Sequence, residues 1–362
     1  MPAPRRDTIL DAMRSLAILL MAMSHVARLV EDDARPLWGA LSLLVEPYTQ
    51  ALFLGLVGAS LVHSRQAAVR RGDPAGAWAG ARLKRMLQLF LLSGVVFFLE
   101  RGPQWPHGLL STGILALIAS AIAIFTGTVA ARRPLWTTGL VTAALCTLAG
   151  VLDATETTVL AVNAGNGPLL PTALYCGLGA TAVLAWSRWG RPAALALVLL
   201  GAACIGGSLW VAPFEDLMTA PLGRTSHTLV FQGRGDGLRI TRDLLEGTPL
   251  RPRKASYFNP RPTLVPLVFG MVVLTYVVLA PMRALWDRIA RHALAIGRYS
   301  LGSYLFHLLL IAIPVLVAGK RPLDTPALAW GYYAFVVIGC YAYAHVRMWQ
   351  DGRKRAARAA PG

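Results

Sequence analysis

Charge is scarce in this chain. Asp, Glu, Lys and Arg make up 15% of its 362 residues, where soluble domains carry about 25%. The apolar class is 55%, and the mean hydropathy is +0.52. That balance excludes a soluble enzyme and an intrinsically disordered chain. Cysteine is equally sparse. The four residues, Cys146, Cys176, Cys204 and Cys340, lie in apolar runs without metal-ligand spacing. This excludes a secreted disulfide scaffold and reads the cysteines as small buried hydrophobes, with no metal expected. No internal repeat is visible. No small-residue cleavage site lies between the first apolar run and Glu31-Asp32-Asp33, so that run is expected to be retained. Gly233, Gly235 and Gly237 form no phosphate loop, because no strand precedes them and no Gly-Lys-Ser/Thr follows. Acid is scarcer than base, 18 residues against 35, for a formal charge of +17.

What the chain does have is long apolar runs. A helix needs about 20 mostly apolar residues to cross the hydrocarbon core. Ten segments answer that description: 8–28, 43–63, 86–100, 109–130, 136–152, 168–187, 193–212, 263–281, 299–319 and 327–346. The expected fold is therefore all-α, a polytopic membrane protein of about ten transmembrane helices. The basic residues orient it. With the N-terminus inside, the segments on that side hold 21 of the 35 Lys and Arg, and the short loops opposite hold five. Cytoplasmic loops carry such an excess, so both termini are expected in the cytoplasm, in a bacterial-type inner membrane. The expected organisation is one transmembrane domain over 1–346, with 213–262 as an extracytoplasmic loop and 347–362 as a basic cytoplasmic tail. Arg353-Lys354-Arg355 in that tail suits anionic lipid headgroups rather than nucleic acid.

Ionisable groups inside spans are costly and generally face the bundle interior, so each is a functional candidate. Arg14 and His25 are eleven residues apart in the first span. That is three turns plus about 20°, so both project from one face, about 16 Å apart along the axis. Arg14 then lies towards the cytoplasmic leaflet and His25 in the outer half. Asp11, one turn earlier, can pair with Arg14. Histidine suits proton transfer near neutrality, and arginine is a fixed cation for phosphate or carboxylate. Glu46 opens the second span near the level of His25, either orienting the imidazole or sitting at the interface as an N-terminal helix carboxylate. Tyr304 and His307 lie one turn apart in the cytoplasmic half of the ninth span, lining a polar path or simply packed in the bundle. From these residues alone an enzyme with His25 as base, a transporter or flippase with an arginine-lined anion path and His25 as proton relay, and a non-enzymatic membrane scaffold all stand open.

The pattern Arg14-x10-His25 resembles the arginine–ten–histidine motif of the acyltransferase-3 family. Leu10-Asp-Ala-Met-Arg-Ser-Leu-Ala17 is similar to that family's opening Leu-Asp-Gly-Leu-Arg-Gly-Leu-Ala. Arg82-Leu-Lys-Arg85 fits its Arg-x-x-Arg at the start of the third span, and Ser300-Leu-Gly-Ser-Tyr304-Leu-Phe-His307 resembles its Ser-Leu-x-x-Tyr-Leu-x-His segment. The second span, Ala51-Leu-Phe-Leu-Gly-Leu-Val-Gly-Ala-Ser-Leu61, resembles the heparan-glucosaminide N-acetyltransferase type and the glucan-succinylating type of the same superfamily. Three positions depart from the acyltransferase-3 pattern. Ser15 stands for the glycine after the motif arginine, Leu56-Val-Gly-Ala59 for Leu-Ser-Gly-Phe, and Met86-Leu-Gln88 where a proline follows Arg-x-x-Arg.

The resemblance implies transfer of an acyl group, in the first instance acetyl, from cytoplasmic acyl-CoA. The acceptor is a hydroxyl or amine of a carbohydrate, glycolipid or small molecule. The donor's phosphates would dock on Arg82 and Arg85, helped by Lys84, Arg14 and Arg298, with Tyr304 and His307 along the donor's path. His25 would serve as general base, supported by Arg14 and Glu46.

Overall fold

A segment that leaves water must satisfy its backbone hydrogen bonds internally, and an apolar run does so as a helix. The computed structural model describes residues 7–27, 29–30, 36–101, 113–155, 157–158, 162, 169–170, 172–211, 227–228, 230–232, 239–241, 264–289, 292–318, 323 and 325–359. Each of the ten apolar segments falls on a helix. The first seven helices are α1 (Thr8–Ala27), α2 (Pro36–Arg71), α3 (Ala75–Arg101), α4 (Ile114–Ala130), α5 (Pro134–Ala154), α6 (Ala173–Trp189) and α7 (Arg191–Val211). Then come α8 (Leu264–Leu279), two short helices, α9 (Arg283–Ile289) and α10 (Ala295–Arg298), and finally α11 (Ser300–Ala318) and α12 (Pro326–Ala359). Six stretches among the described residues are long and apolar enough to cross a membrane. They lie in α1, α2, α5, α7, Val265–Ile289 and α12. The apolar helix α4 and the apolar part of α11, Ser300–Ala312, are shorter.

Most of the polar 213–262 segment lies outside the described residues. Within it, Val230–Gln232 pairs antiparallel with Arg239–Thr241, and His227–Thr228 pairs in parallel with Thr157–Thr158. The basic tail is not a separate element, since α12 continues as unbroken helix through Arg347 to Ala359. Its 34 residues span about 51 Å, well beyond a hydrocarbon core of about 30 Å.

The chain divides into two compact units, Met1–Phe53 with Thr275–Gly362, and Leu54–Leu274. The first holds a core of Ile18, Ala22 and Val26 from α1, Ala295 and Ile296 from α10, Leu310 from α11, and Val336, Cys340 and Ala344 from α12. α12 packs antiparallel to α11. Its Tyr332 hydroxyl donates to the Leu310 carbonyl at 2.9 Å, and its Cys340 thiol meets the Ser303 carbonyl at 3.7 Å. Tyr333 donates to the Leu19 carbonyl of α1 at 3.3 Å.

The second unit exposes wide apolar faces, including Trp136, Leu140 and Leu148 of α5 and Leu195 and Leu199 of α7. Apolar surface on that scale fits lipid rather than water. Cys146 on α5 is exposed on the same helix, which corrects the reading of all four cysteines as buried. Cys176 and Cys340 are buried, and Cys204 is intermediate.

Candidate active site

α1 carries the first candidate residues, and three ties fix it against the segment holding α10 and α11. At one end the Gly297 backbone N–H donates to Ser15 Oγ at 2.9 Å. Further along, the rings of His25 and His307 lie 5.4 Å apart between centroids, tilted by 53°. Past both helix ends, Leu323 N–H donates to the Leu29 carbonyl at 2.6 Å, and Val30 and Leu323 form a parallel bridge. The two segments therefore run parallel and in register. Ten residues separate Ser15 from His25, and ten separate Gly297 from His307. Ten residues are about 15 Å of helix.

Gly297 makes the first tie possible. A Cβ there would run into the Asp11 carbonyl oxygen and the Ser15 hydroxyl. Only a residue without a side chain lets the two backbones approach this closely, as small residues do at helix contacts in membranes. Ser15, one of the departures from the acyltransferase-3 pattern, is thus the residue that caps the Gly297 N–H near the start of a four-residue helix.

Two arginines are next in sequence to the crossing residues. Arg14 precedes Ser15, and Arg298 follows Gly297. Arg14 Nη1 donates to Oδ1 of the buried Asp11 at 2.7 Å. The Arg298 guanidinium lies 5.8 Å over the Tyr299 ring, whose hydroxyl donates to Asp351 Oδ2 at 2.8 Å.

The other end of α1 is an aromatic and imidazole cluster. His307 is fully buried, and its ring is held against the backbone of Ser303 and Tyr304, one turn back in its own helix. Tyr304 meets its ring edge-on at 5.2 Å, and Phe53 of α2 lies 6.2 Å from Tyr304. One turn before Phe53 is Gln50, also fully buried, with both side-chain amide atoms unpartnered. A buried polar group left unmade costs about 1–3 kcal/mol. The Gln50 amide is unmet hydrogen-bonding capacity that a polar guest would satisfy.

This places His25 and His307 side by side, where depth counting along the sequence puts them in opposite halves of the membrane. The reason is the register. Gly297 pairs with Ser15, already well inside α1, so the α10–α11 segment starts deeper than its first apolar residues suggest. Sequence reasoning followed ionisable groups and passed over Gln50. The polar triplet Tyr48-Thr49-Gln50 inside an apolar run was the available signal.

The second unit carries the Arg-x-x-Arg residues. α2 ends at Arg71, and Gly72 turns the chain with φ at +78°, a left-handed conformation that glycine adopts without strain. The hairpin into α3 is held by Trp78, whose Nε1 donates to Ser64 Oγ at 3.1 Å under the Arg65 guanidinium. Three residues along α3, Arg82 and Arg85 share a face. Lys84 and Arg85 are exposed, whereas Arg82 is half-buried with its Nε unpartnered. A planar guanidinium with open donors suits phosphate oxygens. Glu46 lies on α2, and its side chain is outside the described residues.

Residues 6–172 match the family model described as Heparan-alpha-glucosaminide N-acetyltransferase, catalytic. The matched stretch is just under half of the chain. It contains Arg14, His25, Glu46, Gln50 and the arginines of α3, while α10 and α11 lie outside it. No curated protein matches significantly. Over the stretch that carries His25 and the α3 arginines, the chain is thus similar to the catalytic region of an N-acetyltransferase family, the heparan-glucosaminide type among the likenesses read from the sequence.

Proposed function

We propose that this protein is an integral membrane acetyltransferase. It moves the acetyl group of acetyl-CoA to the amine or hydroxyl of a glycan-type acceptor, with His25 as general base. The observation that carries the reading is the cluster at the end of α1. His25, Tyr304 and the buried His307 form a polar group inside apolar helices, on a chain whose first half resembles an acetyltransferase catalytic region. Ionisable groups at such a place are costly and are kept for chemistry.

In the proposed reaction His25 removes a proton from the acceptor nitrogen or oxygen, which attacks the thioester carbonyl carbon. The C–S bond breaks, and the coenzyme A thiolate takes the proton back from His25. The guanidinium groups of Arg82 and Arg85, with Lys84, hold the donor's phosphates. Arg14 and Arg298 add positive charge at the opposite end of α1 from the base. Tyr304 and His307 bound the space around His25, and Glu46 orients its imidazole.

The chain is read as crossing the bacterial inner membrane ten times with both termini cytoplasmic. The parallel course of α1 and α11 fits their places as first and ninth crossings. The arginine end of α1 then faces the cytoplasm, where acetyl-CoA is found, and His25 faces the outer half, where a glycan-type acceptor arrives.

The donor side is tested by calorimetric titration of acetyl-CoA into the purified full chain, wild type beside the Arg82→Ala/Arg85→Ala double variant. A charge-assisted contact is worth about 1.5–3 kcal/mol. The double variant should therefore bind at least tenfold more weakly, and equal affinity would discredit the docking role of α3.

A further inference from the structure

Gln50 is unlike the other polar residues of the α2 segment that crosses the first unit. Thr49 is equally buried, but its hydroxyl donates to the Val45 carbonyl one turn back at 2.6 Å, so it is satisfied within the helix. Tyr48 is paired with Thr275. Gln50 is fully buried and satisfies neither its amide oxygen nor its amide nitrogen. A glutamine in that condition is a poor structural choice. Leucine or methionine would fill similar volume without an unmet donor.

Its position gives it a use. Gln50 and Phe53 are one helical turn and about 60° apart on the same face. Phe53 touches Tyr304, Tyr304 touches His307, and His307 touches His25. The orphaned amide therefore belongs to the face of α2 that meets the imidazole cluster. Among the described residues of the first unit, Gln50 is a fully buried side chain with both polar atoms unpartnered, and His307 is a fully buried imidazole. They come from different helices, His307 within the aromatic group and Gln50 one turn from Phe53, which packs on it.

We propose that Gln50 is a catalytic residue whose side-chain N–H donates to the thioester carbonyl oxygen as negative charge develops on it. This rests on the acetyltransferase reading. When the acceptor's lone pair forms the new bond to the carbonyl carbon, the C=O π electrons move onto oxygen, and Gln50 Nε2–H stabilises that oxyanion. When the C=O bond re-forms, the C–S pair leaves on the coenzyme A sulfur, which takes the proton held by His25. A donor already desolvated and fixed by packing stabilises such charge without reorganising, and loss of one donor of this kind lowers kcat by about 10²–10³-fold.

The test is steady-state acetyl transfer from acetyl-CoA to glucosamine by the full-length protein in detergent, with melting temperatures measured in parallel. Gln50→Leu should lower kcat by about 10²–10³-fold, with the KM for acetyl-CoA changed less than about threefold. Its melting temperature should be unchanged or raised, because an unsatisfied buried amide is removed. A merely structural glutamine would give the reverse, a lowered melting temperature with kcat retained in the folded fraction. Should Gln50→Leu fail to fold, Gln50→Met supplies the same test with an unbranched chain of similar volume. Wild-type transfer with kcat kept within twofold in either folded variant would overturn the role of Gln50 and leave the acetyltransferase reading intact. Absence of transfer to any amine or hydroxyl sugar by the wild type, with no acetyl-CoA binding, would overturn both.

Discussion

The in-register crossing at Gly297 makes a sharp prediction about stability. Replacing Gly297 with Ala puts a methyl group against the Asp11 carbonyl oxygen and the Ser15 hydroxyl. Overpacking a dense interface costs about 1–3 kcal/mol, and the upper end applies because the nearest obstacle is backbone, which cannot rotate away. A second loss adds to it. If α10 moves off α1, the Gly297 N–H loses its 2.9 Å bond to Ser15, and an unmade buried bond costs about 1–3 kcal/mol. Gly297→Ala should therefore destabilise the protein by about 3 kcal/mol or more. Ser15→Ala, which removes the acceptor alone, should cost about 1–3 kcal/mol. Ser15→Gly in the Gly297→Ala background should restore little, because it clears the hydroxyl but not the Asp11 carbonyl. The assay is thermal unfolding in detergent of the wild type, the single variants and the double variant. A double variant with wild-type melting temperature, or a Gly297→Ala protein as stable as the wild type, would refute the close crossing.

The other expectations concern the site and its surroundings. His25→Ala should abolish acetyl transfer while leaving acetyl-CoA affinity within about twofold, checked by pairing turnover assays with titration calorimetry; a variant with full turnover would remove His25 from the mechanism. Arg14→Gln removes the 2.7 Å pair with the buried Asp11, taking a charged partner from a carboxylate held out of water. It should lower the melting temperature, and the further change Asp11→Asn should recover most of the loss, because breaking a buried pair costs more than removing it. Asp73→Ala removes an exposed partner of Arg71 at 2.6 Å. It should shift stability by no more than about 1 kcal/mol, with donor binding unchanged.

How much of this was legible in the sequence differs between helices and contacts. The long apolar runs announce helices because hydrocarbon leaves the backbone no other partner, and α1, α5 and α7 follow those runs closely. The one-face relation of Arg14 and His25 also follows from helical periodicity alone. Their partners do not. The meeting of His25 with His307 depends on the register between distant segments, and that register is set by Gly297 against Asp11 and Ser15, two residues that reveal nothing by themselves. Ser15 reads as a departure from a motif until its hydroxyl is seen under the Gly297 N–H. Gln50 was passed over because an amide carries no charge, and a search for charge in apolar runs does not stop at it. The basic tail reads as a separate segment, because a change in composition does not disclose that α12 continues through it.

The central claim is that His25 drives acetyl transfer, and a single-turnover experiment reaches it most directly. Radiolabelled acetyl-CoA is mixed with an excess of full-length protein in detergent and glucosamine, and the label is followed for wild type and His25→Ala. The account predicts label on the sugar for the wild type and label remaining on bound acetyl-CoA for the variant. Equal transfer by both proteins would contradict it.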